Sequence, residues 1–444
     1  MATRPNILAI LPHDVGDWLG CYGHSYVRTP HLDRLAHEGT TFDQYFCTAP
    51  TCSASRASIM TGYMPHTTGV LGLLHRGFDM SRNVVTLPQR LRDGGYRTTL
   101  IGLGHECRDP VWEGYADVRT TRKDAAWVSA EAERSLENEG GDERPFFLML
   151  GTREAHRPFG KEYDEADVDL VKVPPYLPDE VVVRKDLARY IRDMERLDSC
   201  IGRVLSALER TGLAESTIVL FTTDHGPPLP RAKTTMYDPG LKTALLMRWP
   251  GFIPSGARED ALLSNVDLTP TLLDLVGIDV PSDLHGVNFA PRLTGKKRDQ
   301  PREHLFAEMT WHGHYRPMRA IRTERYKYIL NLPPTVGLPL PPEDGCAEYG
   351  RRIVETHFAT PRPDAELYDL EQDPNETSNL CGEGYSDVEQ HLRGLLQRWM
   401  KETRDPVLHG PVANPEPERA KREFWVESGR GFRLIHDWEV RPNE

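Results

Sequence analysis

No stretch of this 444-residue chain is apolar for long enough to span a bilayer, which sets an integral membrane protein aside. The N-terminus, MATRPNILAILPHD, carries one short apolar run that stops at Pro12-His13-Asp14. It lacks the basic segment, the longer apolar run and the small-residue cleavage site of a secretory leader. Cysteine is scarce. The seven present are odd in number, scattered and without CxxC spacing. They do not form a disulfide framework on paper and suit a reducing compartment, so the expected location is cytoplasmic. Positive charge is in short supply as well: Lys and Arg number 54 against 66 Asp and Glu, a net charge of -12. No nucleic-acid partner and no membrane surface is expected, and an anionic substrate needs a local cluster of cations working against that background. Internal repeats are absent. What remains is 39% hydrophobic and 27% charged, ordinary for a soluble globular protein and long enough for a large core or two domains.

Short apolar runs punctuate the first 300 residues. NILAIL (6–11) reads as a buried strand, followed by RTTLIGL (97–103), FFLMLGT (146–152), TIVLFTTD (217–224) and ALLMRWPG (244–251). Helical patterns lie between them. PHLDRLAHEG starts after Thr29 as N-cap with Pro30 at the first helical position, and Gly39 marks its stop. TLPQRLRDGG, KDAAWVSAEAERSLENE and a long segment near 180–212 follow. Strands alternating with helices predict an α/β fold, a mostly parallel sheet with helices on both faces. From about residue 295 the pattern changes. YRPMRAIRTERYKYILNL alternates like a hairpin, AELYDLEQDPNETSNL reads as strand then turn, and YSDVEQHLRGLLQRWMKE is an amphipathic helix. The expected organisation is a catalytic domain over 1–300, a smaller α+β subdomain with an antiparallel sheet over 301–410, and a polar tail over 411–444. Phe424, Trp425, Phe432 and Trp438 in that tail are expected to dock on the body or on another subunit, so a homo-oligomer is among the expectations.

Four groups of residues sit where an open α/β sheet places its ligands, beyond the carboxyl ends of strands. His13-Asp14 ends the first strand, His105 follows the second, and Asp224-His225 ends TIVLFTTD. The fourth group, Cys52 and Arg56, lies in APTCSASRASIMTG. Two Asp and two His supply the oxygen and imidazole ligands that divalent cations take. One Asp-His pair alone would read as a strand cap. Two pairs with a Cys-x-x-x-Arg between them in sequence favour a metal site. A cysteine at a helix N-terminus meets unpaired N–H groups and the positive end of the helix dipole, which stabilises an anionic nucleophile or a bound oxyanion. Arg56, four residues on, lies on the same helix face one turn below.

These segments carry a resemblance. RPNILAILPHDVGDWLGCYG, TPHLDRLAHEG, APTCSASRASIMTG, LRDGGYRTTLIG and FTTDHG, with LYDLEQDPNETSNL further on, resemble the type I sulfatase family of the alkaline phosphatase superfamily, in order from residue 4 to about 405. Within that family PFFLMLGTREAHRPF, DHGPPLPRAKTTMYDPG, YRPMRAIR and ETRDP are most similar to the sulfamidase (heparan N-sulfatase) branch. The resemblance implies that Cys52 is oxidised after translation to formylglycine by a generating maturase. The aldehyde hydrates, one hydroxyl attacks sulfur and displaces an alcohol or amine, and a base then triggers release of sulfate. Carried over residue by residue, it implies metal ligands at His13, Asp14, Asp224 and His225 with modified Cys52. It also implies a base at His105, a leaving-group histidine at His156, and a cation at Lys233 that bridges sulfate and leaving oxygen. The implied metal is calcium by family habit.

The sequence departs from the family at three places. His13-Asp14 stands for Asp-Asp and Asp224-His225 for Asp-Asn, which favours manganese or zinc more than calcium does. Leu103 stands where the family has a sulfate-clamping lysine, with Arg157, Arg231 and His75 as candidate substitutes. Ala54 replaces the proline preferred by the aerobic maturase. The leading expectation is a sulfatase acting on a sugar or small organic sulfate. The alternatives are a phosphonate monoester or phosphodiester hydrolase on the same scaffold, and a silent protein that binds sulfated ligands. His312 and His314 read as pocket or surface residues rather than ligands. Specificity is expected in the loops 72–84, 157–180 and 310–316.

Overall fold

A computed structural model describes residues 4–138, 143–295, 302–313, 315–333 and 362–416, together with the strand pair Phe424–Ser428 and Gly431–Ile435. The central sheet is built on β1 (Asn6–Leu11), whose residues are all apolar after Asn6 and buried on both faces. Five strands including β1 run parallel: β5 (Asp117–Arg119), β4 (Arg97–Gly102), β6 (Phe146–Gly151), β1 and β7 (Thr217–Thr222), in that spatial order. The order then continues through β8 (Leu245–Arg248), β2 (Thr40–Phe42) and β9 (Ala257–Glu259). β8 is antiparallel to both β7 and β2. A short pair, β3 (Tyr45–Phe46) and β10 (Leu263–Ser264), lies apart from this sheet.

Side chains alternate across β1, so the two sheet faces carry separate cores. Leu8 and Ile10 pack with the helices Ala125–Glu137 and Val181–Arg210, and Ile7, Ala9 and Leu11 pack with Ile59, Met60, Leu87 and Leu272 on the other side. The helix Pro30–Glu38 forms as expected, with Pro30 first and Gly39 at its end. Thr29 does not cap it through its side chain. Its hydroxyl is spent on Asp33 and accepts from Gly20 N–H instead.

A second, antiparallel sheet follows, β11 (His304–Trp311), β12 (Tyr315–Thr323), β13 (Tyr326–Asn331) and β14 (Ala365–Asp369), covered on one face by the helix Ser386–Glu402. Its other face packs on the larger sheet's loops through Met309, Met318 and Ala320 against Phe46, Met236 and Tyr237. Polar ties fix the junction. Glu308 N–H donates to Thr48, Lys327 and Arg322 hold Asp238, and His66 meets Glu308 at 2.6 Å. Residues 296–301, where the expected boundary falls, lie outside the described residues, as do His314, the side chains of Phe424, Trp425 and Phe432, and Trp438. No helix among the described residues is long and apolar enough to cross a membrane.

Candidate active site

The helix Cys52–Thr61 sets the centre. It is rich in Ser and Ala, and every one of its residues is buried. Small side chains let a whole helix lie inside the protein against the ends of β1 and β7. Gly62 closes it in the left-handed conformation (φ 76°), its N–H bonding to Ser58 O. Polar groups of the first turn pin its start. Ser55 hydroxyl donates to Asp224 O and accepts from Asn265 Nδ2 at 2.8 Å, while Ser53 hydroxyl accepts from Leu74 N–H at 3.1 Å. Cys52 is therefore the first helical residue, held at the strand ends and 1% exposed.

Around its sulfur the chain brings together the residues singled out from sequence. Cys52 Sγ lies 3.3 Å from His225 Nε2 and 4.0 Å from Asp14 Oδ1. His225 Nε2 lies 3.2 Å from Asp14 Oδ1, and His13 Nδ1 lies 3.5 Å from Asp224 Oδ2. Lys233 Nζ donates to Asp14 Oδ2 at 2.9 Å, and His156 Nε2 stands 4.0 Å from the same oxygen. His105 stacks on His13 with ring centroids 5.6 Å apart. Lys233, which reads as a surface lysine from its polar loop, is 1% exposed.

Backbone contacts aim these groups. Asp14 adopts φ 57°, a left-handed geometry that Asp tolerates better than most residues. The hydroxyl of Tyr190, from the long helix, lies 3.0 Å from the carbonyls of both Asp14 and Val15. Asp224 Oδ1 accepts from the N–H groups of Asp14 and His225, at 3.0 and 2.9 Å. His225 Nδ1–H donates to Gly226 O at 2.9 Å, which leaves Nε2 with its lone pair toward Cys52. Gly226 must be glycine, since a Cβ there would meet Pro239 O at 1.8 Å.

The donor set fits a cation. Asp14, Cys52, Asp224 and His225 can each offer a ligand atom within 4.8 Å of the others, and so can His13, Asp14, Cys52 and His156. Asp14 and Asp224 are fully buried. Asp224 Oδ2 and both ring nitrogens of His13 have no hydrogen-bond partner, a costly arrangement that a divalent ion would relieve. Burial, with Arg56, His105, His156 and Lys233 adding to it, lowers the His13 pKa well below its ordinary value, so the ring is neutral. Burial raises Asp14, but Lys233, His156 and His225 outweigh it and hold the carboxyl below its ordinary value. His105 is likewise driven well down, by burial first and then by His75, Arg56 and Lys123.

Arg56 is fully buried, and its guanidinium braces strand ends. It donates to Leu11 O at 3.3 Å, Leu103 O at 2.9 Å and Glu106 Oε2 at 3.0 Å, joining the ends of β1 and β4 beneath the site. Of the candidates for the missing lysine, Arg157 is clamped by Asp186 and Pro228 O, and Arg231 by the carbonyls of Asn375 and Glu376. His75 lies against the site, stacked on His105 at 5.9 Å and 8°. Sequence reading missed Glu106, Glu113, Asn265 and Tyr190. The one signal for Glu106 and Glu113 was carboxylates flanking a turn just past a strand end. Nothing local marked Tyr190, inside a long amphipathic helix.

Comparison with known proteins gives the family. The family model for sulfatases matches residues 5–278, and the model for the N-sulphoglucosamine sulphohydrolase C-terminal region matches residues 231–332. An ulvan-active sulfatase from Formosa agariphila is 28% identical, over 90% of this chain and 75% of its own. Human N-sulphoglucosamine sulphohydrolase is 29% identical, over 92% of both. A structure solved with its substrate D-glucosamine-2-N,6-O-disulfate shares the fold, with a TM-score of 0.72 at 22% identity, over 92% of this chain and 99% of that one. With a family model matching well over half of its length, this chain belongs to the sulfatase family.

Proposed function

We propose that this protein hydrolyses a sulfate ester or sulfamate of a saccharide or small organic molecule, using formylglycine made from Cys52 and one divalent cation. The observation that carries the proposal is the meeting of His13, Asp14, Asp224 and His225 around the first residue of a buried helix. Those four side chains would hold the cation. Two imidazoles among them favour manganese or zinc over the family's calcium. When bound, the cation supplies Lewis acidity toward sulfate oxygens, and hydrated formylglycine supplies a hydroxyl nucleophile.

The chain's own residues divide the remaining work. Lys233, buried beside Asp14, places a fixed positive charge where negative charge builds on the sulfate oxygens. His156 keeps Nδ1 on Arg157 O at 2.5 Å and presents Nε2 to the site, from which it delivers a proton to the leaving oxygen or nitrogen. His105, held neutral, accepts a proton in the second half of the cycle. Arg56 positions the strand ends that carry these groups. Ala54 bears on the maturase that converts Cys52, not on this chemistry.

The second reading, a phosphonate monoester or phosphodiester hydrolase, is favoured by His225 and by Leu103 in place of the clamp lysine. Paired aryl esters with one leaving group separate the two. The metal-loaded, converted enzyme should prefer the sulfate by about tenfold or more in kcat/KM, about 1.4 kcal/mol of barrier. Preference for the phosphonate rejects the sulfatase proposal, and binding without turnover supports a silent sulfated-ligand-binding protein.

A further inference from the structure

Eight arginines are buried among the described residues, including four in or near the two sheets that are held by carboxylates. Arg56 bonds Glu106 and two carbonyls, and Arg157 bonds Asp186. Arg319 bonds Asp405, Thr310 and two carbonyls, and Arg322 bonds Asp238. Arg316 differs. It is 1% exposed, yet its Nε and Nη2 have no hydrogen-bond partner. Its one hydrogen bond among the described residues is long, from Nη1 to Thr234 O at 3.4 Å. A buried guanidinium with idle donors is expensive, and in a folded protein it calls for a use.

Its position supplies one. Arg316 lies on the same face of β12 as Met318, Ala320 and Arg322, the face that packs on the catalytic half. It is the last residue of that face before the β11–β12 turn, in the loop region 310–316. Thr234 follows Lys233, whose amine reaches Asp14 in the candidate active site. Arg316 therefore borders the loop that forms one wall of that site.

The local charge is only partly compensated. Arg362 stands close enough to repel Arg316. Glu366 is the nearby carboxylate, but its oxygens are taken by Tyr237, Tyr368 and Asn331 at 2.6–2.7 Å. Burial, and then Arg362, bring the Arg316 pKa down to about 9, which still leaves it cationic at neutral pH. Two cations beside one carboxylate leave a local positive charge that favours a further anion.

Building on the proposed sulfatase activity, we propose that Arg316 binds a second anionic group of the substrate, so that the preferred substrate is a saccharide with a sulfate or carboxylate besides the one removed. Arg316 is a specificity residue. It takes no part in the bond cleavage, and a substrate with one anionic group does not use it.

The test uses the full metal-loaded chain with Cys52→Ala, which stops turnover, with and without Arg316→Met. Calorimetry measures binding of D-glucosamine-2-N,6-O-disulfate and D-glucosamine-2-N-sulfate. With Arg316 present the disulfate should bind about tenfold tighter or more, the scale of one hydrogen bond between charged groups. With Arg316→Met the two should bind equally. The same ratio in both proteins, or no binding of either sugar, overturns the inference. The thermal midpoint gives an independent reading, because methionine removes a buried, unpaired charge while keeping the volume. Arg316→Met should unfold at the same temperature or higher, and a clear fall would make Arg316 a structural residue and reject the proposal. Turnover of 4-nitrophenyl sulfate by the converted enzyme should be unchanged by Arg316→Met. Absence of that turnover in the wild type would instead count against the sulfatase reading, since neither sugar binding nor the thermal midpoint depends on it.

Discussion

Glu113→Gln should make this protein more stable, and increasingly so as the pH rises. Glu106 and Glu113 are both fully buried behind Arg56. Glu106 Oε2 is occupied by Arg56 Nε at 3.0 Å and by His105 N–H at 2.6 Å. Glu106 Oε1 and both oxygens of Glu113 have no donor. Two adjoining carboxylates with idle acceptors need a shared proton. Arg56 bonds Glu106 and not Glu113, so the proton belongs on Glu113, whose pKa is pushed well above its ordinary 4.5, first by burial and then by neighbouring Glu106. The sign follows directly. The folded value exceeds the unfolded one, so this group's contribution is full below the unfolded pKa and is lost as pH rises toward the folded one. The loss is about 1.4 kcal/mol per pH unit for one proton. A glutamine at 113 donates an N–H to Glu106 and does not titrate. Urea unfolding of both proteins from about pH 5 to 8 should show a stability gap widening at about that slope until the folded pKa is reached. Parallel curves, or a variant less stable by a constant amount, would refute the shared proton.

Two further outcomes concern the chemistry. His13→Ala and Asp224→Ala should each lose bound metal by elemental analysis and cut turnover by about a hundredfold or more, with the fold retained by circular dichroism. Metal content unchanged in both would reject the ligand assignment. His156→Ala should slow a sugar sulfate or sulfamate by about a hundredfold to ten-thousandfold, the usual worth of a general acid, and an activated aryl sulfate far less. An equal loss on both would make His156 a positioning residue.

Much of the fold was legible because buried strands announce themselves as short apolar runs. NILAIL, FFLMLG and TIVLFT all lie where the sequence puts them. Strand direction was not legible. LLMR in β8 reads like its parallel neighbours, and its reversal is decided by how the preceding loop returns. In the site, residues at strand ends stood out because their place in the chain and their chemistry coincide. Lys233 was recoverable only by resemblance, since its burial comes from the approach of Asp14, 219 positions away in sequence. Arg56 was visible, but its partners Leu11 O, Leu103 O and Glu106 were not, because backbone acceptors carry no sequence signature. Arg316 was covered only by the loop 310–316, and its idle donors exist only once β12 is packed.

The central claim is that residue 52 acts as formylglycine, and the mass of the tryptic peptide that carries it tests this most directly. Preparations made with and without a formylglycine-generating maturase should differ in the fraction of residue 52 that carries the aldehyde. Turnover should rise in proportion to that fraction, and protein with only the thiol should be nearly inactive, as should Cys52→Ser. Full activity from protein whose peptide shows cysteine alone would contradict the account.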